Sequence, residues 1–125
     1  MINKVVLVGR LGGDPEIAYT ASGTTTARFS LATSEAWRDK ETGQKTEKVE
    51  WHKIVAFGGL AEVCEKYIEK GMLIYVEGKL QTRSWEKDGV TRYTTEIIAR
   101  QIKMLGGGGE RQNEEKRADD DDIPF

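Results

Sequence analysis

The side chains best suited to chemistry lie along one segment, VEWHKIVAF, which alternates as a β-strand does. Period-two geometry gathers five of its residues on one face: Val49, Trp51, Lys53, Val55 and Phe57. Since lysine is almost never fully buried, we expect this face to meet solvent or a ligand. A single strand of nucleic acid fits such a face, because every base can stack on an aromatic ring and every nucleotide carries a phosphate to neutralise.

The same pairing of ring and cation occurs twice more. Trp37 precedes Arg38, and Trp85 follows Arg83 by two positions. Any one of these rings could instead pack in a core or across strands. Since each of the three tryptophans has a lysine or arginine within two residues, the sequence favours a base-stacking role over packing.

A second chemical feature is the ending RADDDDIPF, in which four aspartates precede three apolar residues: Asp119, Asp120, Asp121, Asp122, Ile123, Pro124 and Phe125. The residues from 106 to 122 have too little apolar content to offset the cost of ordering, so we expect a disordered acidic tail. Its end would offer a partner protein an aromatic ring, a terminal carboxylate and a run of negative charge. The alternative is a solvated tail that only aids solubility. The aspartates could also compete with DNA for a basic groove.

Composition indicates one small domain with an appendage. The chain has 125 residues, of which 38% are hydrophobic and 32% charged. Residues 1–105 carry 16 Lys and Arg against 14 Asp and Glu, whereas 106–125 carry 3 against 7. We therefore expect a mildly basic domain over 1–105, a short polar linker over 106–118 and an acidic tip over 119–125.

No apolar run is long enough to span a membrane, and no signal peptide precedes the first strand. A cytoplasmic, nucleoid-associated protein is expected.

Several chemistries are not supported. One cysteine, Cys64, and one histidine, His52, cannot form an internal disulfide or a closed zinc site, and both are interpreted as structural. The glycine clusters match neither phosphate-loop pattern, and no G-x-S-x-G motif is present. We expect no metal, no cofactor and no enzymatic activity.

The elements that must position these side chains are mostly strands. Strand patterns occupy KVVLVGRL, ARFSLAT, VEWHKIVAF, MLIYVEGKLQTRSW and RYTTEIIARQIKML, and Asp88-Gly89 is a hairpin turn between the last two. The order β-β-β-α-β-β predicts an all-β fold with one helix, the five-stranded Greek-key barrel called the OB-fold. The polar connections between strands are predicted to project as ribbons or flaps, with basic residues at the rim of a groove: Arg38, Lys40, Lys45, Lys48, Lys87 and Arg92.

The one helix is predicted over residues 60–71. Its apolar positions follow helical spacing and form one stripe, and Gly71 is placed to end it; the stripe comprises Leu60, Val63, Cys64, Tyr67 and Ile68. Tyr67 is therefore expected in the core, whereas Tyr75 could face either way.

The first strand is apolar on both faces, since Val5 to Val8 are consecutive apolar residues. A strand on a solvated wall alternates instead. Either a second subunit, or the helix or a loop, is expected to cover its outer face.

Five segments closely resemble bacterial single-stranded DNA-binding protein across residues 1–105: NKVVLVGRLGGDPE, LATSEAWRDKETG, EWHKIVAFGGLAEVCEKYIEKG, YVEGKLQTRSW and RYTTEIIA. The ending DDDDIPF resembles that family's acidic tip. The resemblance implies an OB-fold homotetramer that wraps single-stranded DNA, with stacking aromatics at Trp37, Trp51, Phe57 and Trp85. It also implies that the tip docks on replication, recombination and repair proteins.

The residues expected to contact phosphate are Arg38, Lys40, Lys53, Arg83 and Arg92. Two other functions stay open from the residues alone: an RNA-binding or other OB module, and an adaptor whose barrel is only structural. The acidic ending argues against a plain RNA module, and the pairing of aromatic and basic residues argues against an adaptor.

Overall fold

The computed structural model describes residues 1–107. Over that range the elements are β1 (Val5–Leu11), β2 (Glu16–Tyr19), β3 (Thr25–Arg38), β4 (Lys45–Phe57), α1 (Gly59–Tyr67), β5 (Leu73–Lys87) and β6 (Val90–Gly106). The expected all-β fold with one helix between the third and fourth long strands is confirmed. The short strand β2 was not predicted. No helix within the described range is long and apolar enough to cross a membrane.

Five strands close into a barrel in the order β1-β5-β6-β4-β3, because β1 pairs with β5 and then reaches β3. The closing contact is short: Arg10 pairs with Ala32, and Leu11 with Leu31. Strands β4 and β6 are parallel where they meet, at Ile54 and Ile97. The added strand β2 pairs antiparallel with the start of β3. The five-stranded OB barrel predicted from the sequence is therefore confirmed, with β2 as an addition to one edge.

The barrel interior is filled by the inward side of each strand. In β3 the alternating residues Ala27, Phe29 and Leu31 are buried, and Ile54 of β4 lies fully inside with them. Helix α1 covers one part of this core through Ala61 and Cys64. Since apolar burial is the main favourable term in folding, this inward row fixes which face of β4 remains available for a ligand.

Glycine permits two strands of the barrel wall to pass close to their neighbours, at Gly9 and at Gly78. A register irregularity falls between Glu77 and Gly78 in β5, and a Cβ added at Gly78 would collide with the backbone oxygen of Ile98. Only a residue without a side chain fits so close to another strand, as is common at barrel bends.

Two hairpins extend beyond the barrel. The β5–β6 hairpin turns at Asp88 and Gly89, whose φ angles of 55° and 79° confirm the predicted two-residue turn. The β3–β4 pairing continues to Arg38 and Lys45. Residues 34–38 and 45–48, which lay outside the predicted strand segments, are strand. The connections predicted as ribbons are therefore paired β-ribbons.

The helix differs from its predicted extent. It ends at Tyr67, and Ile68 is extended, with φ −105° and ψ 133°. Its apolar side chain is then buried in the core, which explains why the chain leaves the helix four residues before Gly71. The expected burial of Tyr67 is wrong, since that side chain is 59% exposed.

The cysteine and the histidine have structural surroundings. Cys64 is fully buried, and desolvation raises the pKa of its thiol to about 11, so it stays protonated at neutral pH. His52 is half-buried, and its Nε2 lies 2.9 Å from Thr33 Oγ1.

The outer face of β1 is uncovered within residues 1–107. Val6 and Val8 are 50% and 49% exposed, so neither the helix nor a loop of the described chain covers them. Strand β1 pairs with β3 only through its last two residues, which leaves the preceding stretch of that edge without a strand partner in the described part of the chain.

Candidate nucleic-acid interface

The outward face of β4 forms the floor of an open groove. Trp51 and Lys53 project from it, opposite Ala32 and Ser30 of β3. The first segment of the groove has a volume of about 600 Å³ and also includes Arg28, Arg83 and Glu96. Period-two alternation thus separates core and groove within one strand, as the sequence predicted.

A second segment continues along the β5–β6 hairpin. It has a volume of about 820 Å³ and is lined by Trp85, Lys87 and Arg92 among others. Lys53 and Thr94 line both segments. The two segments therefore adjoin, and together they are called the groove below, which extends from Trp51 to Trp85.

The Trp51 ring is held from below by Gly12. A Cβ added at Gly12 would lie 2.5 Å from Trp51 Cζ3, so the ring packs directly on the glycine backbone. The Gly12 N–H donates to the Ser30 carbonyl oxygen at 2.9 Å, which fixes that backbone against β3. The ring is still 58% exposed. A flat aromatic surface is thereby presented in a fixed position, as stacking requires.

Trp85 is held by its polar edge instead. Its Nε1–H donates to Thr94 Oγ1 at 2.9 Å, and its register partner on β6 is Arg92. The side chain remains 39% exposed. Satisfying the indole N–H leaves the ring face for contact with a ligand.

The other two predicted stacking residues lie elsewhere. Phe57 is exposed at the end of β4, on the same face as Trp51 but outside both groove segments. Trp37 pairs with Thr46 in an uninterrupted register, so alternation places it on the opposite face of the β3–β4 ribbon from Trp51. The structure brings Trp51 and Trp85 together on the groove and leaves Trp37 apart.

The predicted phosphate contacts divide in the same way. Lys53, Arg83 and Arg92 line the groove. Arg38 and Lys40 lie at the tip of the β3–β4 ribbon, where Arg38 Nη1 donates to the Gly43 carbonyl oxygen at 2.9 Å. Of the five predicted residues, only the first three lie on the groove with Trp51 and Trp85.

Sequence reasoning missed four charged residues that line the groove, Asp14, Glu16, Arg28 and Glu96, and two of them form an ion pair. Glu96 of β6 is 6% exposed and accepts from Arg28 Nη1 at 2.6 Å and from Arg83 Nε at 3.2 Å. A carboxylate within the apolar run TEIIA was the available signal, because a charge in a half-buried strand needs a partner. Its partner Arg28 is 68 residues away in sequence and no local pattern links them.

The predicted acidic tip, Asp119, Asp120, Asp121, Asp122, Ile123, Pro124 and Phe125, lies outside the described residues. Within residues 1–107 no group of three or more histidine, cysteine, aspartate or glutamate side chains is arranged to hold a metal ion.

The barrel and its groove define a small OB-fold binding protein, and comparison with known proteins gives its family. Residues 2–105 match the single-strand binding protein family. Single-stranded DNA-binding protein 1 of Xylella fastidiosa (strain 9a5c) is 53% identical over 106 residues, which cover 84% of this chain and 78% of the relative. The chain belongs to the single-strand binding protein family.

Two solved structures share the fold. The Plasmodium falciparum SSB in complex with ssDNA superposes with a TM-score of 0.75 at 37% identity, covering 84% of this chain and 96% of that chain. A deletion variant of the single-stranded DNA binding protein from Thermus aquaticus gives a TM-score of 0.73 at 38% identity, covering 85% of this chain and 51% of that chain.

Replacing Gly12 with alanine is expected to displace the Trp51 ring, because the added methyl group would occupy the position of ring carbons. With Trp37 and Trp85 changed to phenylalanine, Trp51 is the only tryptophan, and under excitation selective for indole its fluorescence maximum and acrylamide quenching report its exposure. Gly12→Ala should increase quenching. Gly13→Ala is the matched control, since nothing lies within 4 Å of a Cβ there. Equal quenching in both folded variants would contradict the packing of Trp51 on Gly12.

Proposed function

We propose that this chain binds single-stranded DNA without sequence preference and protects it during replication, recombination and repair. The observation that carries the proposal is the groove, in which two exposed aromatic rings, Trp51 and Trp85, flank the cation Lys53. Rings stack on any base and cations neutralise any phosphate, so this arrangement needs no particular sequence. Duplex DNA hides its base faces in the stack and cannot use the rings.

Family membership supports the same ligand. The Xylella fastidiosa relative is named for single-stranded DNA binding, and the Plasmodium falciparum structure is a complex with ssDNA. The family description names binding and no reaction, which agrees with a binding protein that performs no catalysis. A cytoplasmic, nucleoid-associated location is part of the proposal, because the expected ligand arises there.

The direct test is a titration of intrinsic tryptophan fluorescence with poly-dT, poly-rU and duplex DNA at low and high salt. Stacking on Trp51 and Trp85 should quench the emission strongly with poly-dT and little with duplex. Equal affinity for poly-rU would indicate a general single-strand module. Absence of quenching by poly-dT at low salt would overturn the proposal.

Stacking and charge should be separable by mutation. Trp51→Ala removes a stacking surface worth roughly 1–3 kcal/mol and should weaken binding of a labelled dT oligomer with little change in salt dependence. Lys53→Ala should instead reduce the slope of log K against log salt by about 0.7, because one phosphate contact is lost. Fluorescence anisotropy measures both variants.

Two matched controls make that comparison interpretable. Trp51→Phe keeps an aromatic face and should retain most of the affinity. Lys66→Ala removes the same charge from helix α1, outside both groove segments, and should leave the slope unchanged. A folded Trp51→Ala variant that binds like the parent would show that the ring is only structural.

A homotetramer is the proposed assembly, and the outer face of β1 is its proposed interface. Val6 and Val8 are half exposed there. Beside them, Tyr75 donates its hydroxyl proton to Glu77 at 2.7 Å, and Lys4 Nζ lies 3.6 Å from the same carboxylate. This combination of exposed apolar side chains, satisfied polar groups and an open strand edge is typical of a surface that pairs with another copy.

Introducing charge on that face should dissociate the assembly. The double variant Val6→Glu, Val8→Glu buries like charges against each other in any symmetric contact, so its mass by sedimentation equilibrium should fall below that of four chains. Val90→Glu is the control, because Val90 is equally exposed at 50% but lies on the β5–β6 hairpin. A monomeric parent at low micromolar concentration would contradict the tetramer.

Residues 119–125 are proposed to recruit replication, recombination and repair proteins. The support is their chemistry: Asp119 to Asp122 would attract a basic rim, and Phe125 would enter an apolar pocket. Pro124 would restrict the backbone and lower the ordering cost.

Phe125→Ala should abolish capture of such partners from cell extract while leaving poly-dT affinity intact. Gln112→Ala in the linker is the control and should retain capture. Deleting 119–125 should also abolish capture and slightly raise DNA affinity at low salt, since the aspartates compete for the groove until salt screens them. Retained capture by Phe125→Ala would contradict an aromatic anchor.

A further inference from the structure

We propose that Glu96 is a positioning residue that joins Arg28 and Arg83 into one phosphate-binding clamp at the centre of the groove. This inference rests on the proposed function, because it assigns phosphates of single-stranded DNA to the clamp. Neither Arg28 nor Glu96 was predicted as a site residue, and Arg83 was predicted only as a single contact.

The geometry assigns one carboxylate oxygen to each arginine. Arg28 Nη1 donates to Glu96 Oε2 at 2.6 Å, and Arg83 Nε donates to Glu96 Oε1 at 3.2 Å. The three residues come from β3, β5 and β6. Since β4 lies between β3 and β6, the Arg28 side chain must cross β4 to reach Glu96.

Burial supports that crossing. Val55 of β4 is in register with Arg28 and with Ile98, which places it on the outward face. It is nevertheless only 1% exposed. The ion pair between Arg28 and Glu96 therefore covers Val55 and forms part of the groove floor, in a place where a lone valine would otherwise meet water.

The arginines keep most of their donors for a ligand. A guanidinium has five N–H groups in a planar fork, and each of these two uses one on Glu96. No other hydrogen bond is made by either guanidinium to residues 1–107. The side chains of Arg28 and Arg83 are 44% and 46% exposed, whereas that of Glu96 is 6% exposed. The buried carboxylate thus lies beneath two more exposed arginine side chains that line the groove, and guanidinium groups there favour planar bidentate contacts to phosphate.

Net charge does not account for phosphate binding at this place. The first groove segment is lined by three cations, Arg28, Lys53 and Arg83, and by three carboxylates, Asp14, Glu16 and Glu96. Their formal charges cancel. Attraction of a phosphate must therefore depend on the placement of the guanidinium N–H donors. An anchored guanidinium also loses less conformational entropy on binding than a free one.

Replacing the Glu96 carboxylate consequently distinguishes two mechanisms, because they predict opposite changes in the affinity for single-stranded DNA. If Glu96 only opposes phosphate by its charge, Glu96→Gln adds a positive increment to the groove and strengthens binding. If Glu96 positions the arginines, the same change weakens binding in spite of the added positive charge, because both side chains lose their anchor.

Glu16→Gln is the matched control. Glu16 pairs in register with Arg28 and lines the same groove segment, yet it is exposed and makes no ion pair with it. It changes the groove charge by the same amount and leaves the clamp intact.

The experiment measures anisotropy of a labelled dT oligomer with the full chain across a salt series. We expect Glu96→Gln to bind about tenfold more weakly, the scale of one charge-assisted hydrogen bond, with the salt slope reduced by about 0.7. Glu16→Gln should bind as tightly as the parent or tighter. In a double-mutant cycle, Arg28→Gln and Glu96→Gln should be non-additive, because they act on one clamp.

A second pair of variants covers the case in which Glu96→Gln melts below the assay temperature. Arg28→Gln should lower both affinity and salt slope, whereas Lys66→Gln on α1 should change neither; equal effects would overturn the clamp. Failure of the parent to bind dT would defeat the proposed function itself. A parent that binds, together with a folded Glu96→Gln that binds as well as Glu16→Gln or better, would overturn this inference alone.

Discussion

The pairing register of strand β4 with its two neighbours is the constraint on which the rest of the molecule depends. Strand β4 pairs with β3 along its whole length and with β6 at Ile54 and Val55. Ile54 and Ala56 of its inward row are buried in the core, so its outward row carries Trp51 and Lys53 to the groove. A slip of one residue in either pairing would exchange the two rows. The ligand surface and the core are therefore specified by the same register, and neither can change without the other.

The groove combines two anchored rings with cations that differ in their ion pairing. Trp51 lies on the Gly12 backbone, and Trp85 is hydrogen-bonded to Thr94. Rings held in this way lose little entropy when a base stacks on them. Lys53 has no ion pair within the described range, so under the proposed function its ammonium group would be available to a phosphate. A fixed set of stacking surfaces and an adaptable set of charges suits a ligand that is a flexible, irregular polymer.

The distribution of charge along the groove is uneven. Cations and carboxylates balance in the segment around Trp51, whereas three cations face one carboxylate in the hairpin segment around Trp85. In the proposed complex with DNA, the hairpin end would therefore contribute long-range attraction, and the barrel end would depend on short-range placement of donors. Salt screens the first contribution more than the second, so affinity at high salt should reside mainly in the segment around Trp51.

The sequence by itself determined the features that local patterns encode. Alternation along VEWHKIVAF separated the core row from the groove row, and Asp88-Gly89 gave the hairpin turn, because these depend on neighbours in the chain. Only the tertiary structure placed Gly12 beneath Trp51, ended the helix at Tyr67 and brought Glu96 to Arg28. These features depend on contacts between distant segments, where burial outweighs local propensity, as Ile68 shows by leaving the helix to enter the core. Aromatic and basic residues could therefore be found from the sequence, but which of them share one groove was decided by the closure of the barrel.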